Sequence, residues 1–299
     1  MRQTLLKWLY QRFPFDLKGD AVVPHAKDQI RISCVINFYG RMDLLTSILH
    51  SLAQQGYDRE RFEVVLVEDK GGTPAGKELA DLLGERLQTV YLPLDKNHGS
   101  MGYSRNYGLA HSRGDIVLFL DDDTVILQQD FLTILDDTFG QNAGTDAVVP
   151  HGHAAFSLAD GYAFHDPYFM TSRCTAYRRE VLMELGGFMD HFVGQEDVEF
   201  VIRFLMAGKR SLNCGELNYF HPPLLVPNFR KPKAVGHSFF LLKSRYPLPI
   251  WLITVANCAR HAPLYLFPVR RYREMGRFGL GFIAGVISSL GKKEDFRYN

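Results

Sequence analysis

Three consecutive aspartates, Asp121 to Asp123, directly follow the apolar run "IVLFL". Carboxylates crowded at the end of a buried strand repel one another, so they require a cation, a proton or open water. Two chemistries suit this pattern. In one, Asp121 and Asp123 hold a divalent metal ion against a diphosphate. In the other, Asp121 attacks phosphorus as a nucleophile and Asp123 acts as acid and base.

A second acidic pair, Glu196 and Asp197, lies near the start of "GQEDVEFVIRFLMAGK". Apolar residues recur there at helical spacing, which predicts a helix beginning at the pair. A carboxylate in the first turn of a helix is stabilised by the helix dipole and can still accept a proton. The pair is therefore a candidate general base. The apolar face of the predicted helix includes Val198, Val201, Ile202 and Leu205.

Apolar strands alternate with amphipathic helices through the first half of the chain. This alternation predicts a parallel sheet that is covered by helices on both faces, with ligands bound at the carboxyl ends of the strands. Asn37, Asp69 and Asp121 to Asp123 then lie along one edge of the sheet. The predicted strands are 30–38, 62–69, 89–94, 115–123 and 146–152, and a later strand ends at His221.

Four segments in order resemble the motifs of family 2 glycosyltransferases: "RISCVINFYGRMDLLTSILHSL", "VVLVEDKG", "NHGSMGYSRNYGLAHSRGDIVLFLDDD" and "GQEDVEF". The resemblance covers about residues 30 to 222. A single D-x-D is a weak signal, whereas four motifs in this order and spacing are specific. The resemblance implies the nucleotide-sugar-binding GT-A fold, which is a Rossmann-like, mostly parallel sheet flanked by helices.

The resemblance also implies which residues hold the nucleotide. It puts Asn37 and Tyr39 beside the base, Asp69 on the pyrimidine edge and Arg105 in the same pocket. The chain departs from the family pattern at two positions, since Glu68 stands where a first aspartate is more common and Gly40 where the family usually has Asn. Because Asp69 itself is in place, the expected nucleotide contact is kept.

The same resemblance assigns the aspartate run and the base. Asp121 or Asp122 is expected to hold the ribose, Asp123 the metal, and His221 to complete the metal shell. A hard divalent cation such as Mn²⁺ or Mg²⁺ prefers oxygen ligands and neutralises a departing nucleoside diphosphate. By the family pattern Asp197 is the general base for the acceptor hydroxyl, and Glu196 binds or positions the acceptor. A single displacement implies inversion at the anomeric carbon.

Three other functions remain as alternatives. A phosphatase of the haloacid dehalogenase-like type would use Asp121 and Asp123, but it needs a later lysine, and none lies between Thr124 and Glu196. A metal-dependent nucleotidyltransferase would usually have a Gly-rich basic loop after the first strand, which "NFYGRMD" matches poorly. A noncatalytic glycan- or nucleotide-binding module would tolerate loss of Asp197.

The chain is expected to divide into three parts: an N-terminal amphipathic segment at 1–29, a catalytic domain at 30–227 and a basic, aromatic C-terminal appendage at 228–299. Within the catalytic domain, 30–125 would form the nucleotide-binding half and 126–227 the acceptor half. The appendage has thirteen Lys or Arg against three Asp or Glu, so the rest of the chain must carry −9 to give the total of +1. Such a tail suggests contact with something anionic.

The appendage is expected to lie at an anionic membrane surface, with Trp251, Tyr265 and Phe267 in the headgroup layer. The alternative is that it packs on the catalytic domain or forms a homodimer contact. No segment is long and apolar enough to predict a spanning helix, and charge alone without a recognition motif does not predict nucleic acid binding. Four scattered cysteines predict reduced thiols. Together these features suggest a cytoplasmic protein at the cytoplasmic face of the membrane, acting on a glycan or lipid-linked glycan.

Overall fold

The computed structural model describes residues 3–26, 29–84, 86–154, 166–222 and 226–290. Its centre is a seven-stranded sheet in the order β3-β2-β1-β4-β6-β5-β7. The strands β1 to β4 are mutually parallel, whereas β6 runs antiparallel to both β4 and β5. The predicted mostly parallel sheet is therefore confirmed. The strands are β1 (Ile32–Phe38), β2 (Phe62–Glu68), β3 (Thr89–Pro93), β4 (Ile116–Asp121), β5 (Ala147–Ala154), β6 (Cys174–Arg178) and β7 (Ser211–His221).

Register aligns the carboxyl ends of the central strands. Asn37 at the end of β1 is paired with Asp121 at the end of β4, and Phe38 is paired with Glu68 at the end of β2. Polar residues that are far apart in sequence therefore meet at one edge, as the strand pattern predicts.

Helices cover both faces of the sheet because successive strand side chains point to opposite faces. One apolar cluster joins Ile36 of β1 to Leu45 and Leu132, and the other joins Val35 to Leu109 and Phe200. The helices are α1 (Gln3–Arg12), α2 (Met42–Ala53), α3 (Pro74–Leu83), α4 (Met101–His111), α5 (Phe131–Gln141), α6 (Arg179–Leu185), α7 (Glu196–Met206), α8 (Arg230–Leu241), α9 (Leu248–Ala259) and α10 (Arg270–Ser288). Short 3-10 turns occupy Arg59–Arg61, Leu242–Ser244 and Ala262–Leu266.

A third apolar cluster joins both ends of the chain to α7. Leu6 of α1 lies with Ile202 of α7 and with Phe239 and Trp251 of the C-terminal helices. The expected place of Trp251 in a lipid headgroup layer is wrong, because its ring is buried and its Nε1 donates to the Phe239 carbonyl at 2.8 Å. The C-terminal helices thus pack on α1 and α7. Among the described residues, no helix combines the length and apolar character needed to cross a bilayer.

Candidate functional site

Asn37 and Tyr39 lie where β1 ends. The Asn37 side chain is buried, and neither its amide nitrogen nor its amide oxygen has a hydrogen-bond partner among the described residues. Tyr39 is exposed, with the Lys70 ammonium 5.7 Å from its ring centroid. A buried amide without partners costs free energy, which a ligand that supplies both a donor and an acceptor would recover. The contact of both residues with a nucleotide base stays a prediction.

Asp69, directly after β2, organises the loop that precedes α4. Its two carboxylate oxygens accept hydrogen bonds from the backbone N–H groups of His98, at 2.7 Å, and Gly99, at 3.0 Å. These bonds tie the end of β2 to the start of the helix that carries Arg105. The contact of Asp69 with a pyrimidine edge stays a prediction.

Asp121, Asp123 and His221 form a cluster at the end of β4. An antiparallel bridge, in which Val125 and Phe220 exchange backbone hydrogen bonds of 2.8 Å, brings β7 beside the chain that follows the aspartates. His221 Nε2 lies 2.9 Å from Asp123 Oδ1 and 3.4 Å from Asp121 Oδ2. One ligand atom from each of the three residues lies within 4.8 Å of the others.

This donor set fits a divalent metal ion. His221 Nδ1 faces the Pro222 carbonyl at 2.5 Å, so Nδ1 carries a proton, while Nε2 is directed at the two carboxylates. Two carboxylate oxygens and one imidazole nitrogen suit Mn²⁺ or Mg²⁺ better than a soft metal. The predicted ligands Asp123 and His221 do lie together, and Asp121, which the aspartate pattern also offers as a metal ligand, lies with them.

The three aspartates differ in their electrostatics. Burial raises the pKa of Asp121, but the hydrogen bond with His221 and the charge of Arg105 outweigh it, so this pKa lies below its usual range. The pKa of Asp123 is likewise lowered, because the hydrogen bond with His221 outweighs burial. For Asp122, burial dominates over the attraction of Arg41 and raises the pKa to about 6. Asp121 and Asp123 are therefore the anionic pair of the run.

Arg41 is a site residue that the sequence patterns did not identify. Its Nη1 donates to Asp123 at 2.9 Å, and its Nε and Nη2 both donate to Asp122. The Arg41 side chain is half exposed, so it has room to reorient towards an anionic ligand. The available signal was a basic residue within four positions of the end of β1, which is a common arrangement and therefore not specific.

Arg105 joins the aspartate run to the second acidic pair. Its Nη2 donates to Asp121 at 2.6 Å and its Nε donates to Glu196 at 2.7 Å, with all three side chains at the edge of the sheet. The guanidinium and the Glu196 carboxylate are almost completely buried, the latter being 4% exposed. Burial raises the pKa of Glu196 to about 7, while Arg105 opposes the shift and the neighbouring Asp197 adds to it. Glu196 thus holds Arg105; its predicted contact with the acceptor stays a prediction.

Asp197 begins the first turn of α7 beside Glu196, as predicted. The preceding Gln195 has φ of +59°, an unfavourable conformation for a residue with a side chain, and this turn directs the acidic pair. Asp197 Oδ2 accepts from the Thr171 hydroxyl at 2.8 Å and from the Ser172 N–H at 3.2 Å. Its Oδ1 accepts from the Val198 N–H at 2.8 Å. The carboxylate is half buried and fixed in direction.

The segment that holds Asp197 also holds the aspartate run. The Arg173 carbonyl, next to Ser172, accepts from the Asp121 N–H at 3.3 Å and from the Thr124 hydroxyl at 2.7 Å. Asp197 and the metal cluster are thus joined by a backbone link at residues 171–173 and by the Arg105 bridge. Both acidic groups are therefore fixed by the same segment of backbone.

The helix that bears Asp197 is anchored by a buried ion pair. Arg203 donates to Glu199 through Nε and Nη2, at 2.7 Å each, and both side chains have no solvent exposure. Tyr246, which follows α8, donates its hydroxyl to Glu199 at 2.5 Å. The C-terminal part of the chain therefore helps to hold α7 in position.

The chain is similar to known glycosyltransferases in sequence. The family model described as glycosyl transferase family 2 matches residues 33–211. The glycosyltransferase AglE of Haloferax volcanii is 23% identical over 247 residues, which is 74% of this chain and 80% of AglE. A poly(ribitol-phosphate) beta-N-acetylglucosaminyltransferase of Staphylococcus aureus, TarS, is 31% identical over 97 residues, which is 32% of this chain and only 17% of TarS.

Solved structures share the fold. TarS residues 1–349 in complex with UDP-GlcNAc has a TM-score of 0.62 at 18% identity, covering 86% of this chain and 82% of that one. The mannosyltransferase PcManGT of Pyrobaculum calidifontis, in complex with GDP-Man and Mn²⁺, has a TM-score of 0.59 at 18% identity, covering 98% and 95%. The expected GT-A architecture is thereby confirmed. The chain belongs to glycosyl transferase family 2 and is a glycosyltransferase.

Proposed function

We propose that this glycosyltransferase is metal-dependent and inverting, and that it moves a sugar from a UDP-sugar to a glycan or lipid-linked glycan with Asp197 as general base. The observation that supports this most directly is the convergence of Asp121, Asp123 and His221 within 4.8 Å, beside the helix that begins with the acidic pair. A metal cluster next to an anchored carboxylate is what displacement of a nucleoside diphosphate requires.

Each residue then has a defined part. Asp121, Asp123 and His221 would hold Mn²⁺ or Mg²⁺, which when bound neutralises charge on the departing diphosphate. Asn37 and Tyr39 would contact the base, and Asp69 its pyrimidine edge. Asp197 Oδ2 would take the proton of the acceptor hydroxyl as that oxygen attacks the anomeric carbon from the face opposite the diphosphate. One such displacement inverts the anomeric configuration.

Arg105 and Glu196 would support this chemistry by positioning the reacting groups, and Glu196 would also bind or position the acceptor. Arg105 holds Asp121 through one nitrogen and Glu196 through another, so the metal side and the base side are kept at a fixed separation. Asp122 faces Arg41 and is the more protonated member of the run. Asp121 is therefore the better of the two candidates for a metal ligand, and Asp122 for a hydrogen bond with a ribose hydroxyl.

The proposed donor and acceptor follow the family and its relatives. One structural neighbour is a complex with UDP-GlcNAc and the other a complex with GDP-Man, so the neighbours do not decide the nucleotide. UDP is proposed here chiefly because Asp69 is expected to contact a pyrimidine. The family match also favours glycosyl transfer over the nucleotidyltransferase and phosphatase alternatives. All four cysteines are free, in keeping with the proposed cytoplasmic location at a membrane surface.

Thermal stabilisation tests the donor and the metal together. We expect UDP and one UDP-sugar to raise the melting temperature when Mn²⁺ is present, because a ligand that binds only the folded state stabilises it. Asp123→Asn should abolish the Mn²⁺-dependent part of this shift. Asp137→Asn, an exposed carboxylate on α5, is the matched control and should keep it. Stabilisation by GDP alone would correct the nucleotide, and no response to any nucleotide would contradict the proposed function.

A further inference from the structure

A cavity of about 410 Å³ lies between the start of α10 and the loop that follows β7. Three arginines and one acid line it together with two prolines, so its lining carries an excess of positive charge. The arginines are spaced by three and four residues on α10, which places them on one face of the helix. The lining residues are Pro227, Pro268, Arg270, Arg273, Glu274 and Arg277.

The positive charge of this cavity is poorly compensated by the helix itself. The first turn of α10 contains no acidic residue, and the positive end of its dipole lies beside Arg270 and Arg273. Cations are unfavourable at a helix N-terminus, because the unpaired N–H groups already carry partial positive charge. Arg270 contacts Glu274 at 3.3 Å, but that carboxylate alone cannot balance three guanidinium groups. An anion in the cavity would satisfy both the helix end and the arginines.

Large apolar side chains are exposed immediately before the cavity. Leu266 is 86% exposed, Phe267 52% and Val269 50%, in four consecutive residues that include Pro268. Close packing between α10 and the chain before this loop holds the loop outward. At Gly276 of α10 there is no room for a side chain, since a Cβ there would lie 2.0 Å from the Tyr265 N atom. Exposed apolar residues beside a cationic cavity are complementary to a surface that has an apolar interior and phosphate at its boundary.

Hydrogen bonds also connect the cavity to the segment that follows the predicted metal ligand His221. Arg277 Nη1 donates to the Pro227 carbonyl at 3.2 Å and to the Val226 carbonyl. Pro227 is six residues beyond His221, a separation that extended chain spans in at most about 20 Å. The cavity and the predicted metal ligand are therefore joined by a short stretch of chain.

From these features we infer that the cavity binds the phosphate of an anionic phospholipid headgroup while Leu266, Phe267 and Val269 enter the bilayer surface. Arginine suits this role because its planar guanidinium donates two parallel hydrogen bonds to phosphate oxygens. The inference rests on the membrane contact proposed above and supplies a specific site for it. It is independent of which sugar is transferred.

Vesicle flotation of the full chain tests the inference. The wild-type protein should float with phosphatidylcholine vesicles that contain phosphatidic acid, and less with vesicles of equal charge made with oleate, which lacks phosphate. Arg270→Ser with Arg273→Ser should lower the partition coefficient about 30-fold, because each arginine near an anionic surface contributes roughly fivefold. Arg59→Ser with Arg86→Ser removes the same charge from exposed positions at the opposite edge of the sheet and should have little effect.

A second pair of variants tests the exposed apolar loop. Phe267→Ser should weaken flotation, whereas Leu82→Ser, at an apolar side chain of α3 that is 74% exposed, should not. If the wild-type protein binds and the Arg270 and Arg273 variant binds equally well, the membrane contact stands and the cavity assignment is refuted. The inference is overturned if the wild-type protein binds none of the vesicles or if it self-associates through this loop. It is also overturned if soluble diphosphate displaces the protein from vesicles as well as added lipid does. Donor-dependent melting shifts, measured separately, show whether the proposed function survives that outcome.

Discussion

Replacing Asp197 by Asn is the sharpest test of the proposed mechanism, because the structure separates its chemical effect from its structural one. The amide keeps the size of the carboxylate, and its oxygen can still accept from the Val198 N–H, now 2.8 Å from Oδ1. The amide nitrogen would replace Oδ2, which accepts from Thr171 and Ser172. The Thr171 hydroxyl can rotate to accept from that nitrogen, whereas the Ser172 N–H loses its partner.

The two effects differ in size. One buried N–H without a partner costs about 1–3 kcal/mol of folding stability. Loss of a general base removes roughly 10²- to 10⁴-fold in rate, which corresponds to about 3–5 kcal/mol of the barrier. Asp197→Asn should therefore remain folded, bind the donor with Mn²⁺ as the wild type does, and lose at least about 99% of its transfer activity.

The assay is transfer under saturating donor and acceptor, with donor binding measured by calorimetry on the same preparation. Thr171→Val is the matched control, because it removes a hydrogen bond to Asp197 and leaves the carboxylate; its activity should fall by about tenfold or less. An Asp197→Asn protein that kept more than roughly a tenth of the wild-type rate would refute Asp197 as the base. Loss of donor binding in that variant would show instead that Asp197 belongs to the donor site.

Three further outcomes are expected. His221→Ala should weaken Mn²⁺ binding by about 10- to 100-fold in a titration followed by electron paramagnetic resonance, and unchanged affinity would remove His221 from the metal site. Glu199→Gln should cost about 3–5 kcal/mol in urea unfolding because it leaves Arg203 as a buried unpaired cation, while the double substitution by Met should recover much of that loss. Glu196 has a pKa of about 7 in the folded protein against 4.5 in the unfolded chain, so the folded state keeps a proton that the unfolded chain loses between these values. The contribution of protonated Glu196 to the free energy of unfolding is therefore complete below about pH 4.5 and is lost as the pH rises through about 7. The difference in urea midpoint between the wild type and Glu196→Gln should change with pH across this range.

The edge of the sheet was predictable from the sequence because it follows from strand order alone. Apolar runs of strand length mark β1, β2 and β4, and parallel strands place their carboxyl ends together. Asn37 and Asp121 are consequently neighbours in the register, although 83 residues separate them. The start of α7 at Glu196 was predictable in the same way, from the acidic first turn before an apolar helical pattern.

Which residues of α7 are buried was not predictable from the periodicity of its apolar residues. Of the four apolar residues expected on its buried face, only Ile202 is fully buried, while Val198, Val201 and Leu205 are half buried. The fully buried polar pair on this helix, Glu199 and Arg203, would be assigned to the surface by any hydropathy pattern. What buries the pair is the N-terminal segment and the C-terminal helices, and such long-range packing leaves no local signal.

The environment of Glu196 explains why two adjacent carboxylates can serve different purposes. Glu196 is 4% exposed, and its Oε1 accepts from Arg105, so this carboxylate is held in a buried ion pair. Its neighbour Asp197 is half buried and held by neutral donors, the Thr171 hydroxyl and backbone N–H groups, which orient a carboxylate without neutralising it. Arg105 therefore fixes Glu196 at a set distance from Asp121, while Asp197 is the partly exposed member of the pair that is oriented by neutral donors.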